Sequence, residues 1–174
     1  SAGNPAPDNI FENVGAGPFT DRSAAIAGTV IETRGITAFD WDADGDTDLF
    51  VTNLGHDVLL RNDGGRFTDV TAQHPGLAGG AGAWSVGAAA GDLDLDGDLD
   101  LYVAGYCEQD LPALEARGWC RQMSCEVPCG PRSLRPEPDR VHRNGGAPDF
   151  TLVRDAGDTG LLDVEPSYGF QPTF

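Results

Sequence analysis

Two nine-residue acidic segments constrain this chain more than any other feature of its sequence. The first is Asp40–Asp48 (DWDADGDTD) and the second is Asp92–Asp100 (DLDLDGDLD). They begin 52 residues apart, and each is followed by a short apolar run that reads as a β-strand, Leu49–Asn53 and Leu99–Val103. One period therefore accommodates about four strands, which is near the length of a propeller blade.

A second, independent repeat supports the same period. Asn13–Asp21 (NVGAGPFTD) returns as Asn62–Asp69 (NDGGRFTD) and, more loosely, as Asn144–Thr151 (NGGAPDFT). Asn and Gly tolerate positive φ, so each copy is typical of a hairpin turn that leads into a strand. We therefore expect one all-β domain built from about two and a half propeller blades. The units are repeat 1 at about 9–57, repeat 2 at about 58–106, a cysteine-rich insertion at about 107–140 and an incomplete repeat 3 at about 141–174.

The spacing of the acids in both loops suits a calcium ion. Calcium takes six to eight oxygen ligands, and acids at positions 1, 3 and 5 of a curled loop converge on it. Glycine at position 6 permits the turn, position 7 offers its backbone carbonyl, and the acid at position 9 closes the shell. The sequence thus predicts two calcium sites and favours calcium over magnesium, which keeps more water. The predicted ligands are Asp40, Asp42, Asp44, Asp46 (backbone) and Asp48 in one loop, and Asp92, Asp94, Asp96, Asp98 (backbone) and Asp100 in the other.

An EF-hand and a solvated acidic turn are the two alternatives to these calcium sites. An EF-hand needs an acid at position 12 and flanking helices, but position 12 is Val51 or Val103 and the flanks read as strands. A solvated acidic turn that binds nothing is the other alternative. Two complete matches in register with an independent repeat make chance a poor explanation.

The strongly negative charge of the chain limits the classes of partner that it can bind. Asp and Glu number 28 against 11 basic residues, all of them Arg, for a net charge of −17. Nucleic acid is a poor partner for this surface, because phosphate binding needs a basic patch. No run reaches the roughly 18 apolar residues of a membrane span. The first residues lack the features of a signal peptide, which fits a processed mature protein.

All four cysteines lie in the insertion, between positions 107 and 129. Four cysteines allow three pairings. We favour disulfides over a four-thiolate zinc site, because the spacings do not give two CxxC knuckles and weak calcium sites fill outside cells. The best helix candidate of the chain, Gln109–Arg117, lies in the same insertion, which otherwise reads as a loop between strands.

The Asn-Gly turn, the Phe-Thr-Asp segment and the DxDxDGDxDL loop together resemble the FG-GAP/VCBS repeat, the blade of the integrin-α-like β-propeller. More narrowly, the Cys-(x8)-Cys-Gly-Pro-Arg segment at 120–132, followed by Arg143–Gly146 and Phe150, resembles the ASPIC/UnbV and cartilage-acidic-protein branch. The resemblance implies a secreted, cell-surface or periplasmic protein whose blades hold calcium in the ten aspartates above. It also implies the disulfide Cys120–Cys129, which leaves Cys107–Cys125.

The resemblance implies a propeller of about seven blades, and this chain holds fewer than three. Gly35 and Gly87 each stand five residues before an aspartate loop, and Gly169 stands in the third repeat five residues before Phe174. We therefore expect an N-terminal piece of a longer protein. The alternative is a short subunit whose partner chains cover the sheet edges near Ile36–Phe39 and Tyr168–Phe174.

The expected function is a non-enzymatic calcium-binding module for adhesion or structural assembly. The rival is a propeller-based hydrolase or lyase, which would gather His, Arg and acids from several blades around one funnel. No nucleophile elbow, HExxH, phosphate loop or dinucleotide motif is present. We expect solvated or hydrogen-bonded roles for His56 and His142, and we assign no function to His74.

Overall fold

The computed structural model is all-β, as the sequence predicts. Its described part contains two four-stranded antiparallel sheets and two two-stranded ribbons. The first ribbon precedes the sheets and pairs β1 (Phe11–Glu12) with β2 (Thr20–Asp21). The described residues are 8–26, 33–74, 76–80, 82–107, 119–122, 125–128, 135–145 and 150–153.

The first sheet runs in chain order. It consists of β3 (Thr33–Phe39), β4 (Asp48–Asn53), β5 (Val58–Asn62) and β6 (Phe67–Asp69). The first acidic loop joins β3 to β4, and the Asn-Gly turn joins β5 to β6. The strand predicted at 49–53 is confirmed and begins one residue earlier, at the ninth loop position.

The second sheet has the same plan, but the insertion interrupts it. β7 (Ser85–Gly91) and β8 (Asp100–Gly105) flank the second acidic loop. A separate ribbon, β9 (Trp119–Gln122) and β10 (Cys125–Pro128), follows inside the insertion. β11 (Arg140–Asn144) then pairs with β8, and β12 (Phe150–Val153) forms the outer edge.

Each sequence repeat begins two strands before a four-stranded sheet does, so the repeat and the sheet are offset by half a unit. The hairpin around the loose Asn144–Thr151 copy of the repeat supplies the outer strands of the second sheet, which begins with β7. Each sequence repeat therefore contains the outer half of one sheet and the inner half of the next.

The two sheets pack face to face through their apolar side chains. Phe50 and Leu59 of the first sheet and Leu101 and Val103 of the second are all fully buried in one cluster. Burial of a side chain of this size contributes about 1.5–3 kcal/mol. The close approach of β3 to β7 adds a hydrogen bond from the Thr37 hydroxyl to the Ala88 carbonyl at 2.7 Å.

A smaller cluster lies on the opposite face of the first sheet. Val51 and Leu60 of that sheet pack there against Ile26, with Ile10 at the margin. The N-terminal segment that carries β1 and β2 thus stacks on the first sheet on the side away from the second sheet.

The insertion differs from the loop that the sequence predicts, because it contains the β9–β10 ribbon. Cys107 is buried and Cys125 is exposed, and both are free thiols in the structure. The pairing Cys107–Cys125 is therefore not formed: one cysteine lies at the end of the second sheet and the other in the β9–β10 ribbon. Cys129 and the helix candidate Gln109–Arg117 lie outside the described residues, so the pair Cys120–Cys129 stays a prediction.

Candidate metal centres

The two acidic loops adopt the same backbone conformation. Ala43 and Leu95, at position 4, have φ of 57° and 63°, and Gly45 and Gly97, at position 6, have φ of 94° and 100°. Positive φ costs a residue other than glycine about 1 kcal/mol or more. Both loops accept this conformation at the same non-glycine position, so the curl is a property of the nine-residue pattern.

Carboxylates at positions 1 and 5 hold this curl by accepting backbone hydrogen bonds. The N–H of Gly45 donates to Oδ2 of Asp40 at 3.0 Å, and the N–H of Gly97 donates to Oδ2 of Asp92 at 3.2 Å. One position further on, the carboxylate of residue 5 receives the N–H of residue 7. That distance is 2.8 Å in the first loop, where Asp46 donates to Asp44. It is 3.1 Å in the second loop, where Asp98 donates to Asp96.

The ninth acid of each loop is a structural anchor. Asp48 is fully buried, and it accepts the N–H of Trp41 at 2.8 Å and the N–H of Asn62 at 2.7 Å. Asp100 is equally buried and accepts the N–H groups of Leu93 at 2.8 Å and Asn144 at 2.9 Å. Each ninth carboxylate thus ties the second loop residue to the strand that follows β4 or β8 in its sheet.

Three carboxylates converge in each loop, and those of the second loop include its ninth acid. Ligand atoms of Asp40, Asp42 and Asp44 lie within 4.8 Å of one another, as do those of Asp92, Asp94 and Asp100. Among the described residues, no hydrogen-bond donor reaches the buried Oδ1 atoms of Asp42, Asp92 and Asp94. A buried carboxylate oxygen without a donor costs free energy that a cation would offset.

The pKa shifts of the loop carboxylates also favour a bound cation. Burial raises the pKa of Asp42, and the neighbouring carboxylates of Asp44 and Asp40 raise it further. Burial is also the largest cause that raises the pKa of Asp48 and Asp100, despite their backbone hydrogen bonds. The fold therefore holds these groups in an environment that disfavours their charge, and a divalent cation would reverse that preference.

Two residues of β11 connect the loops to their surroundings. Arg143 lies beside the second loop, with its Nε 3.5 Å from Oδ2 of Asp94. The side-chain amide of Asn144 donates to the carbonyl of Trp41 at 3.0 Å, while its backbone N–H holds Asp100. Asn144 thus bridges the two loops across the sheet interface.

The structure brings together six of the ten predicted ligands as side chains, three in each loop. Asp46 and Asp98 lie outside the two carboxylate clusters, as expected for residues that would offer a backbone carbonyl. Asp46 instead accepts the N–H of Gly64 at 2.7 Å. Asp48 and Asp96 also lie outside the clusters, although the same positions of the other loop, Asp100 and Asp44, lie inside them.

Sequence reasoning missed the structural role of the turn asparagines. It took Asn62 and Asn144 as turn formers, whereas their backbone N–H groups bind the ninth acids. The signal was present, because each asparagine opens a copy of the hairpin repeat. The expectation for His142 was wrong: its ring is fully buried, and neither ring nitrogen has a hydrogen-bond partner among the residues that the structure describes. His56 is exposed, as expected.

Antiparallel four-stranded sheets stacked face to face, each with an aspartate loop between its first two strands, define a β-propeller repeat protein. A family model for the FG-GAP-like repeat matches the chain twice, over residues 1–51 and 40–103. The chain therefore belongs to the family of FG-GAP-like repeat proteins. The first match covers an outer ribbon followed by an inner hairpin, which is the half-unit offset described above.

No curated protein matches this chain. Within the part of the chain that the structure describes, no helix has the length and apolar character needed to cross a membrane.

Proposed function

We propose that the two aspartate loops bind one calcium ion each and that the chain is a calcium-stabilised, non-enzymatic propeller module. The carrying observation is that each loop gathers three carboxylates, with at least one buried oxygen that no donor among the described residues reaches. All the side-chain ligands are oxygens, which suits a hard cation such as calcium.

The proposed role is adhesion or structural assembly outside the cytoplasm, in a secreted, cell-surface or periplasmic protein. Open loops of this kind bind weakly and fill in millimolar calcium. The proposed ions would cancel the carboxylate repulsion and fix the hairpins on which sheet stacking depends. The module would then act through its assembled surface, with the remaining blades or a protein partner covering its open edges.

We also propose a place in the ASPIC/UnbV and cartilage-acidic-protein branch of the family. Its support is the spacing of Cys120 and Cys129, the Gly-Pro-Arg that follows them, and the Arg-Asn-Gly-Gly turn that begins at Arg143. Membership of this branch implies a Cys120–Cys129 disulfide, which we propose as well. Non-reducing peptide mapping of the native protein tests it.

Terbium luminescence tests calcium binding at one loop at a time. Trp41 stands at position 2 of the first loop and can sensitise a bound lanthanide, whereas the second loop has Leu93 there. We expect terbium emission on excitation of Trp41, displaced by calcium and abolished by Asp44→Ala. Asp96→Ala should keep the emission, and calorimetry should then count one calcium per chain instead of two.

The matched control is Asp63→Ala, which removes an exposed acid outside both loops. It should leave both the emission and the calcium stoichiometry unchanged. Absence of a saturable signal up to millimolar calcium, or equal loss in the control, would contradict the proposal.

A further inference from the structure

Two arginines occupy equivalent positions beside the two aspartate loops. Arg61 of β5 and Arg143 of β11 each precede the asparagine whose backbone N–H donates to the ninth acid of a loop. Continuing the antiparallel registers by one residue places each arginine opposite that ninth acid, Asp48 or Asp100. The side chains of the two arginines can therefore be compared directly, because their backbone positions match.

Arg61 is bound to a carboxylate outside the first loop. Its Nε and Nη2 atoms donate to Oδ2 of Asp63 at 3.2 and 2.9 Å. The hydrogen bond and then the charge of Asp63 are the main causes that raise the pKa of Arg61, while the charges of Asp42 and Asp44 contribute less. Asp63 thus holds a guanidinium that lies close enough to the first loop to interact with its acids.

Arg143 instead contacts the second loop itself. Its Nε lies 3.5 Å from Oδ2 of Asp94, one of the three carboxylates that converge there. The contact is an ion pair and not a hydrogen bond, because the buried Nε has no acceptor among the described residues. The two side chains are 35% and 22% exposed, so water weakens the pair. A positive charge therefore rests loosely against one of the predicted ligands.

A single sequence difference accounts for the two orientations. Asp63 follows the turn asparagine Asn62, whereas Gly145 follows Asn144 and offers no side chain to Arg143. Gly145 is exposed, its φ is not positive, and no described atom lies within 4 Å of a Cβ added there. The turn of the second sheet thus has space for an acid and carries none.

The two loops do not differ in the acids that they offer. Each has aspartates at positions 1, 3, 5, 7 and 9, so the formal charge of the two loops is the same. The arginine beside each loop is therefore what distinguishes their charge. A divalent ion and a guanidinium about 6 Å apart in water repel each other by enough to weaken binding about tenfold, and salt reduces this effect.

We propose that Arg143 competes with calcium for the second loop, so that the second loop fills at about three- to tenfold higher calcium than the first. This inference rests on the proposed function, because it concerns the same two calcium sites. At low calcium the guanidinium neutralises part of the charge of Asp94. At higher calcium the ion displaces it, and the chain therefore responds to calcium in two steps.

Calorimetry on variants with one intact loop measures each affinity by itself. Asp44→Ala leaves only the second loop, where Arg143→Gln should tighten calcium binding by about three- to tenfold at low salt. Arg143→Lys keeps the charge and should stay near the unmodified value. The matched control is Arg61→Gln in the Asp96→Ala protein, which should change the first loop much less. Both glutamine variants remove one positive charge, so their difference reports the local contact and not the net charge.

Gly145→Asp tests the cause from the opposite direction. It supplies the acid that the first sheet has at Asp63, and by binding Arg143 it should tighten the second loop about threefold or more. Gly145→Asn is the neutral control and should leave the affinity unchanged. In the Arg143→Gln protein, Gly145→Asp should add little, because no arginine remains to be withdrawn from the loop.

NMR of the arginine side chains follows the displacement directly. In the Asp44→Ala protein, the Nε–H resonance of Arg143 should shift as the second loop fills with calcium. In the Asp96→Ala protein, the resonance of Arg61 should move little as the first loop fills, because Asp63 holds that side chain throughout. A purely structural role for Arg143 would leave its resonance unchanged in both.

The outcomes separate this inference from the proposed function. Two calcium ions per chain together with an unchanged second-loop affinity in Arg143→Gln would overturn the inference alone. Equal tightening by Arg143→Gln and Arg61→Gln would do the same, because net charge would then be the cause. Absence of calcium binding at both loops of the unmodified chain would overturn both. If Arg143→Gln fails to fold, the comparison of Gly145→Asp with Gly145→Asn decides the question.

Discussion

Arg140 of the second sheet forms a buried ion pair with Asp57, which ends the turn between β4 and β5 of the first. Nη2 of Arg140 lies 2.5 Å from Oδ2 of Asp57, and both side chains are almost entirely inaccessible. The hydroxyl of Ser85 donates to the same carboxylate at 2.7 Å, and the guanidinium also reaches the carbonyl of Leu77 at 3.2 Å. The pair therefore fixes the second sheet to the first at a point well away from the aspartate loops.

Asp57→Asn should destabilise the fold by about 3–5 kcal/mol, because it leaves the Arg140 charge buried without a counter-ion. Chemical denaturation at fixed calcium measures the change. The control is Asp63→Asn, which removes the exposed partner of Arg61 and should have little effect. Restoration of stability by the double variant Asp57→Leu with Arg140→Met would identify the unpaired charge as the cause.

The sequence predicted the loops but not this ion pair, for a physical reason. The ligand pattern is local, so nine residues fix both the curl and the carboxylate spacing. Asp57 and Arg140 are 83 residues apart and meet only because β11 joins the second sheet after the insertion. No periodicity within the insertion reveals that Arg140 begins the third strand of a sheet that β7 started.

The wrong expectation for His142 has the same physical cause. His142 lies near a turn in the sequence, but the β11 ladder places it in the interior beside Arg140. The half-unit offset between repeat and sheet was also hidden, because a repeat can be read from any of its four strands.

Calcium should stabilise the fold through each loop separately. With dissociation constants of about 10–100 μM and millimolar calcium, each site adds about 1.4–2.7 kcal/mol by mass action. Thermal melts with calcium and with EGTA measure this increment. Asp44→Ala and Asp96→Ala should each remove one increment in calcium, and an unchanged melting temperature in EGTA would contradict the prediction.

The ninth acid should behave differently from the fifth. Asp48→Ala removes the acceptor of two backbone N–H groups, from Trp41 and Asn62, in a fully buried position. It should therefore cost about 1–3 kcal/mol even in EGTA. Asp44→Ala, at a more exposed position, should cost much less without calcium. Equal losses for the two variants in EGTA would show that the ninth acid acts only as a ligand.

His142 should make the fold less stable as the pH falls. Burial, followed by the nearby Arg140 charge, lowers the pKa of His142 from 6.5 to about 3. The unfolded chain binds a proton below pH 6.5 while the folded chain does not, so stability falls between pH 6.5 and about 3. At pH 5 the loss is about 2 kcal/mol relative to pH 7.5.

The variant His142→Leu isolates this effect. Burial raises the pKa of Asp48, Asp57 and Asp100, so these groups favour the fold below about pH 4 and lose that contribution as the pH rises. They remain in both proteins, so the difference between the two pH profiles reports the histidine. Parallel profiles from pH 7.5 to 5 would contradict the prediction.

Gly35 should be a glycine at which a single methyl group disturbs the stacking of the two sheets. A Cβ there would lie 3.0 Å from the Thr52 hydroxyl oxygen, 3.1 Å from the Val86 carbonyl oxygen and 3.3 Å from Cα of Gly87. Two of these atoms are backbone of β7 and cannot turn away, so the inner strands must separate. Gly35→Ala should cost about 1–3 kcal/mol in urea denaturation at constant calcium.

The matched control for Gly35 is Gly17→Ala, where no atom lies within 4 Å of the added Cβ and φ is not positive. Both substitutions reduce the entropy of the unfolded chain by the same amount, so their difference measures the steric effect alone.

The shared position of Gly35 and Gly87, five residues before each loop, then has a physical meaning. Glycine allows the inner strands to approach closely enough for Thr37 to reach Ala88. If Gly35→Ala were as stable as the control, the sheet spacing would have to come from the outer strands instead.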